Sequence, residues 1–156
     1  FCAITTTADG RPMVQPDGRQ LKLWVNSIEK LDLDERRGPK VRESLDKYFI
    51  APDEAAAESL PLGAIYALRE ARPPDLPGIT RPNIVDIALL LRRGAYRPHL
   101  IHRMGQRPDF FRASIMIANT AGIFNLSRTL GFDKMAEGIA TLEAHWAEIG
   151  LLERAS

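Results

Sequence analysis

The chain has 156 residues, 45% of them hydrophobic and 26% charged, and a formal net charge of +1 at pH 7. That is one domain's length with enough apolar content for a core, and the near-zero charge gives no global field for nucleic acid or a membrane surface. No apolar run approaches the roughly 20 residues that span a bilayer, no signal peptide is expected, and a lone cysteine, Cys2, excludes an internal disulfide and suits a reducing, cytoplasmic setting.

The opening run Phe1-Cys2-Ala3-Ile4-Thr5-Thr6-Thr7 is apolar and β-branched and reads as a buried strand already under way. No methionine precedes it, so upstream residues are expected to belong to the same fold; a native edge strand after methionine removal is the other reading. Asp9-Gly10 favours a tight hairpin, and Pro12 restarts an extended segment that continues as a strand from Met13 to Gln15. Pro16-Asp17-Gly18 reads as a second turn. Arg19 to Trp24 alternates polar with apolar, which puts Leu21 and Leu23 on one face and Lys22 and Trp24 on the other. Asn26 or Ser27 can cap a short helix through Leu33, with Ile28 and Leu31 inward.

Asp34 to Ala57 is charged and irregular, with Leu45, Tyr48, Phe49 and Ile50 able to pin part of it down. Leu60-Pro61-Leu62-Gly63-Ala64-Ile65-Tyr66-Ala67-Leu68 reads as a strand buried on both faces, although pattern alone leaves a helix open. The proline-rich connector Arg72 to Gly78 ends it. Asn83 then caps a helix from Ile84 to Arg93, with Ile84, Ile87, Ala88 and Leu91 on one face and Gly94 as its stop. Pro98 starts a helix through Met104, and Pro108 another from Asp109 to Ala121. Ile123 to Leu126 reads as a short strand after Gly122. The last helix, about Asp133 to Ile149, would bury Met135, Ile139, Leu142 and Trp146 at helical spacing. Strands over 1–70 and helices over 80–150 give an α/β class, a mixed sheet followed by a helical layer, in a single domain over 1–156.

The sequence contains no Gly-x-x-x-x-Gly-Lys-Ser/Thr loop, no Gly-x-Gly-x-x-Gly fingerprint and no Gly-x-Ser-x-Gly elbow. His99 and His102 are three apart, but no cysteine or acid lies near enough in sequence to complete a zinc site, so they read as ordinary histidines. Tyr66 and Trp146 read as core, and Cys2 as a small apolar residue of the first strand.

Two features carry possible binding chemistry. Between Arg92 and Arg112 lie six arginines (Arg92, Arg93, Arg97, Arg103, Arg107 and Arg112) and one acid, Asp109. The rigid guanidinium fork suits phosphates and carboxylates, while a solvated helix face paired with distant acids explains the same pattern. No aromatic ladder accompanies these arginines, so single-stranded nucleic acid is not an expected partner. Lys22, on a strand leaving a turn, suits the rim of a sheet where α/β folds bind ligands; a snorkelling surface lysine is the alternative.

Four segments, in order and over most of the chain, resemble HPr-kinase-like proteins, the serine kinases related in fold to phosphoenolpyruvate carboxykinase. They are Phe1-Cys2-Ala3-Ile4, Gln20-Leu21-Lys22-Leu23-Trp24 with its short helix, Leu60 to Leu68, and Ile123-Phe124-Asn125-Leu126-Ser127-Arg128 before a final helix. The resemblance implies the C-terminal part of a phosphoenolpyruvate-carboxykinase-like P-loop kinase fold. It also implies an ATP-dependent serine kinase whose substrate is a protein or peptide, such as a lasso-peptide precursor or a sugar-transport carrier. ATP and magnesium would be held mainly by residues outside this chain. The phosphate-gripping loop and the catalytic acids would lie upstream of Phe1, so the chain alone is expected to be inactive. Only Lys22 and Arg128 fall in segments like the family's, as phosphate or strand-end contacts, and Arg103 and Arg107 would suit an acidic peptide. Homo-oligomerisation stays open. The phosphorylase activity of the founding carrier-protein kinases, tied there to a Glu-x-Arg-Gly signature, is not expected. The competing reading is a non-catalytic helical module that uses the arginine surface for a protein or nucleic-acid partner.

Overall fold

The computed structural model describes residues 2–15, 20–51 and 58–152. Phe1 and the expected Pro16-Asp17-Gly18 turn lie outside those residues. Within them the chain is mixed α/β, with three small sheets and several helices.

The first sheet begins as the Asp-Gly signal predicts. Strands β1 (Ala3–Thr6) and β2 (Pro12–Gln15) pair antiparallel, with Ile4 opposite Val14. The backbone turns at Gly10, whose φ of +82° is left-handed and costs glycine nothing. The Gly10 amide donates to the Thr7 carbonyl at 2.9 Å, and the Thr7 amide donates to the Arg11 carbonyl at 3.0 Å. Strand β6 (Leu60–Pro61) joins the far side of β2. The expected burial of the opening strand does not hold. Every residue of β1 is exposed, and so is Cys2 just before it. β1 sits at the sheet edge against β2 alone, and β-branched composition fixes extended backbone without fixing which face is covered.

The second sheet has the order β3 (Leu21–Trp24), β5 (Lys47–Ile50), β4 (Arg37–Lys40). Its last two strands lie in the stretch expected to be irregular. Charge hid them: the Arg37 guanidinium sits 4.2 Å above the Tyr48 ring and the Lys40 ammonium 5.8 Å above it. Such cations pack on aromatic faces and need no separate solvated segment. Ile50 is fully buried. Leu21 is exposed, so only Leu23 of the expected inner pair is partly covered. Helix α1 (Val25–Lys30) starts directly from Trp24, without a side-chain cap from Asn26 or Ser27, and buries Ile28 completely.

The third sheet holds the core. Strands β7 (Ala64–Glu70) and β9 (Gly122–Arg128) run parallel in continuous register, from Ala64 opposite Gly122 to Glu70 opposite Arg128. Strand β8 (Gly78–Thr80), not anticipated behind the proline-rich connector, pairs antiparallel with the other side of β9. Parallel neighbours need a long crossover, here helices α2 (Ile84–Gly94), α3 (Pro98–Arg103) and α4 (Arg107–Thr120); α5 (Met135–Glu148) follows β9. The single doubly buried strand expected from Leu60 to Leu68 is in fact β6 and β7, broken at Leu62-Gly63 and belonging to different sheets. β7 is an edge strand, half-buried at its start and exposed from Leu68 onward. The central β9 has the buried run instead, with Ile123, Phe124 and Leu126 at 7% exposure or less.

Ile117 and Ala121, at the end of α4, pack on Ile123, with Leu62, Ile65, Ile87, Leu90 and Leu91 around them. The cap at Asn83 forms as expected, its side-chain oxygen accepting from the amides of Val85 and Asp86. Ile84, Ile87, Ala88 and Leu91 share one face of α2 as expected; Ile87 and Leu91 are half-buried together with Leu90, while Ile84 and Ala88 are exposed. Gly94 is the last helical residue rather than the stop. On α5, Met135, Leu142 and Trp146 are half-buried and Ile139 is exposed. Tyr66 and Trp146, expected in the core, are likewise only half-buried. Among the described residues no helix is long and apolar enough to cross a membrane.

Candidate functional site

The arginine-rich stretch folds into the end of α2, the whole of α3 and the start of α4. Arg97 takes a left-handed backbone conformation (φ 49°) that turns the chain sharply into Pro98 at the start of α3. Pro108 occupies the first turn of α4 in the same way. Three helices are thereby folded around a groove of about 670 Å³. Its walls are Ile87, Leu91, Ile101, Phe110, Phe111 and Ile115, and its polar rim holds Arg92, His102 and Arg107. Among the described residues no carboxylate lines it. Phe111 is 64% exposed and Ile115 46%, although both are large apolar residues.

The arginines of the stretch divide by their partners. Arg112 is tied to Asp109 one helical turn away, and Arg97 lies over the ring of its neighbour Tyr96 at 5.1 Å. The side chains of Arg92, Arg103 and Arg107 have no ion-pair partner among the described residues. Arg107 enters the groove wall, whereas Arg103 is exposed on the last turn of α3 outside that wall.

The other two sequence candidates lie elsewhere. Lys22 is on β3, its ammonium 5.2 Å above the Phe49 ring. Arg128 ends β9; its carbonyl accepts from the Ala71 amide at 2.9 Å, and its side chain borders a hollow of only about 30 Å³ with Thr129, Lys134 and Gly138. That space holds about one water. Lys22, Arg128 and the Arg103–Arg107 pair thus occupy three separate regions, and among the described residues the fold does not gather them around one ligand.

The expectation of no phosphorylase activity rests on the absence of a Glu-x-Arg-Gly signature, and that ground fails: Glu35-Arg36-Arg37-Gly38 has this spacing. Its side chains have local partners: Arg37 donates to Asp34 at 3.2 Å and stacks on Tyr48, and the Arg36 guanidinium donates to the Ala51 carbonyl. Gly38 lets the strands approach closely: a Cβ there would stand 3.1 Å from the Phe49 carbonyl oxygen, a tight contact that asks the neighbouring backbone to shift by a few tenths of an ångström.

A second apolar hollow, about 700 Å³, opens between β7, α2 and α4 beside Ile4, with Tyr66, Leu68 and Arg69 in its wall. Tyr66 stacks on Phe124 at 5.4 Å, and its hydroxyl lies 2.6 Å from His145 Nδ1 on α5. Burial pushes the Tyr66 hydroxyl's pKa up, with Trp146 beside it pulling part of the way back. This Tyr–His pair carried no sequence signal, since 79 positions separate its members. His99 and His102 form no metal cluster, and no group of three potential ligands occurs among the described residues. No family model, curated protein or solved structure matches the chain.

Proposed function

We propose that the chain is the C-terminal part of an HPr-kinase-like serine kinase, in a phosphoenolpyruvate-carboxykinase-like P-loop fold. It phosphorylates a serine of a protein or peptide with ATP and magnesium, in a reducing, cytoplasmic setting. The observation that carries this reading is the four-segment sequence pattern from Phe1 to Arg128. The strand-then-helix order of Leu21 to Lys30 and of Gly122 to Glu148 is compatible with it. So is the parallel β7–β9 pair joined through a helical crossover, an arrangement on which α/β enzymes place ligands at strand ends.

On this reading the glycine-rich loop and the acid that deprotonates the serine belong to residues preceding Phe1, and magnesium and nucleotide are held there. This chain contributes the remaining sheets, the helical layer and contacts to the acceptor. Lys22 is a candidate for anion contact because it lies in a segment like the family's, is exposed and has no carboxylate partner among the described residues, the last two properties being shared by Arg103 and Arg107.

The test is transfer of radiolabelled phosphate from ATP by the protein carrying its upstream segment, with magnesium and a panel of serine-containing acidic peptides. The isolated 156-residue chain runs beside it. Label transferred by the longer protein and not by the isolated chain is the expected result. No transfer and no ATP binding by the longer protein would sink the kinase reading. A non-catalytic binding module is the second reading, favoured by the unpaired cations at the rim of the α2–α4 groove.

A further inference from the structure

We propose that the groove between α2, α3 and α4 docks an amphipathic segment of another polypeptide, one with apolar anchors on one side and carboxylates flanking them. The proposal goes beyond phosphate transfer, because it concerns binding alone and holds with or without ATP.

The floor comes first. Ile87, Leu91, Ile101 and Phe110 converge on the groove from three helices. Ile84 at its edge is 72% exposed, and Phe111 in its wall is 64% exposed. Large apolar side chains left contiguous and open, with a polar rim, mark a surface that another molecule covers. The volume of about 670 Å³ lies in the range of binding clefts. The groove follows α4, whose 14 residues extend about 21 Å at 1.5 Å per residue. Four turns of a partner helix fit that length, with anchors at i, i+3 or i+4, and i+7.

The rim decides what the partner is. Arg92, His102 and Arg107 line the groove, and among the described residues none of their side chains has a carboxylate partner. The acids on these helices are engaged elsewhere. Asp86 on α2 accepts from the Asn83 side chain at 2.8 Å, Asp109 on α4 holds Arg112, and α3 has no acid. Two arginines, Arg92 and Arg107, thus face an apolar trough with no carboxylate opposing them among the described residues. Carboxylates on the occupant complete forked, charge-assisted hydrogen bonds there. Nucleic acid fits less well, because the walls are mainly aliphatic and offer no stacking platform for successive bases.

The experiment is an anisotropy titration of the full chain, without ATP, against a fluorescein-labelled helical peptide of about 16 residues, with leucines at i, i+4, i+7 and i+11 and glutamates beside them. Saturable binding is expected. It should weaken at least about tenfold in an Arg92→Glu, Arg107→Glu variant, and by a similar factor in Phe111→Ser. The same peptide with lysine for glutamate should bind at least about tenfold more weakly. All three substituted side chains are exposed, and circular dichroism verifies the fold; should Phe111→Ser unfold, the arginine pair carries the test. Equal binding of the lysine peptide, or of a scrambled peptide without the leucine stripe, overturns the proposal. So does charge reversal without effect, or dodecyl phosphate binding where the peptide does not. Because ATP is absent, a negative result here leaves phosphate transfer to be decided by its own assay.

Discussion

Tyr66 and His145 share a hydrogen bond of 2.6 Å, and with it helix α5 is fastened to the edge strand of the third sheet. The pair is held from the side: the Phe124 ring stacks on Tyr66 at 5.4 Å and meets His145 edge-on at 4.5 Å. In the tautomer with its proton on Nε2, His145 accepts from the Tyr66 hydroxyl through Nδ1. Tyr66→Phe keeps the ring stack and removes only the donor. It should lower stability by about 1 kcal/mol, the usual worth of one such bond, read from the urea midpoint at unchanged slope.

The same residue sets an alkaline dependence. Burial raises the Tyr66 pKa in the folded state, so the folded protein holds that proton more tightly than the unfolded chain does. The stabilisation is complete below the unfolded phenol value of about 10 and is lost as pH rises through the higher folded value. The wild-type chain should therefore lose stability above about pH 10 more steeply than Tyr66→Phe does. Denaturation midpoints at successive pH values compare the slopes, and parallel curves would contradict the assignment.

At the head of α2, Asn83 accepts from the amides of Val85 and Asp86, both at 3.0 Å, and donates to the Asp86 carboxylate at 2.8 Å. Asn83→Ala strands two amide donors at a terminus that also forms the groove wall. It should cost about 1 kcal/mol and visibly lower the melting temperature, whereas Asn83→Asp, another good cap, should cost much less.

What the sequence made legible follows from which signals are local. Asp9-Gly10, Asn83 and the helix-starting prolines Pro98 and Pro108 act within a few residues, and the hairpin and three helices stand where these place them. Burial is not local. Ile4 and Leu68 are as apolar as Ile123 and Leu126, yet the first two lie on edge strands and the last two on the central strand of a sheet. Strand order decides that difference, and strand order is set by pairings across tens of residues, such as Tyr66 with Phe124. β4 and β5 were hidden for another reason: Arg37 and Lys40 of β4 pack on Tyr48 and Lys47 of β5 on Trp24, so a polar pattern that reads as solvated loop is in fact a sheet face. Within the arginine stretch, composition identified the cationic surface. Only the fold divides Arg92 and Arg107, in the groove wall, from Arg112, which is neutralised by Asp109.

Gly122 tests the start of the central strand. A Cβ there would stand 2.5 Å from Cε2 of Phe124, on the same face of β9 two residues on. Phe124 is 7% exposed and is flanked by Tyr66 and His145, so its ring has little room to yield. Gly122→Ala should destabilise by about 1–3 kcal/mol through overpacking. Adding Phe124→Leu should recover part of that loss, and the two changes should prove non-additive in a double-mutant cycle.

Lys22 separates a phosphate contact from a packing role. Its ammonium stands 5.2 Å above the Phe49 ring, an exposed cation–π contact worth about 0.5–1 kcal/mol. If that contact were its whole purpose, Lys22→Ala would lower the melting temperature slightly and leave phosphate transfer by the longer protein unchanged. As an exposed cation without a carboxylate partner among the described residues, it is instead expected to meet a phosphate. On that account Lys22→Ala lowers kcat/KM for ATP-dependent transfer by at least about tenfold, the scale of one lost charge-assisted contact, while the melting temperature barely moves. Lys22→Arg preserves the charge and the ring contact and should recover much of the activity. Loss in both variants would mean that the site needs the compact ammonium itself; unchanged activity in both would return Lys22 to the Phe49 face as a packing residue.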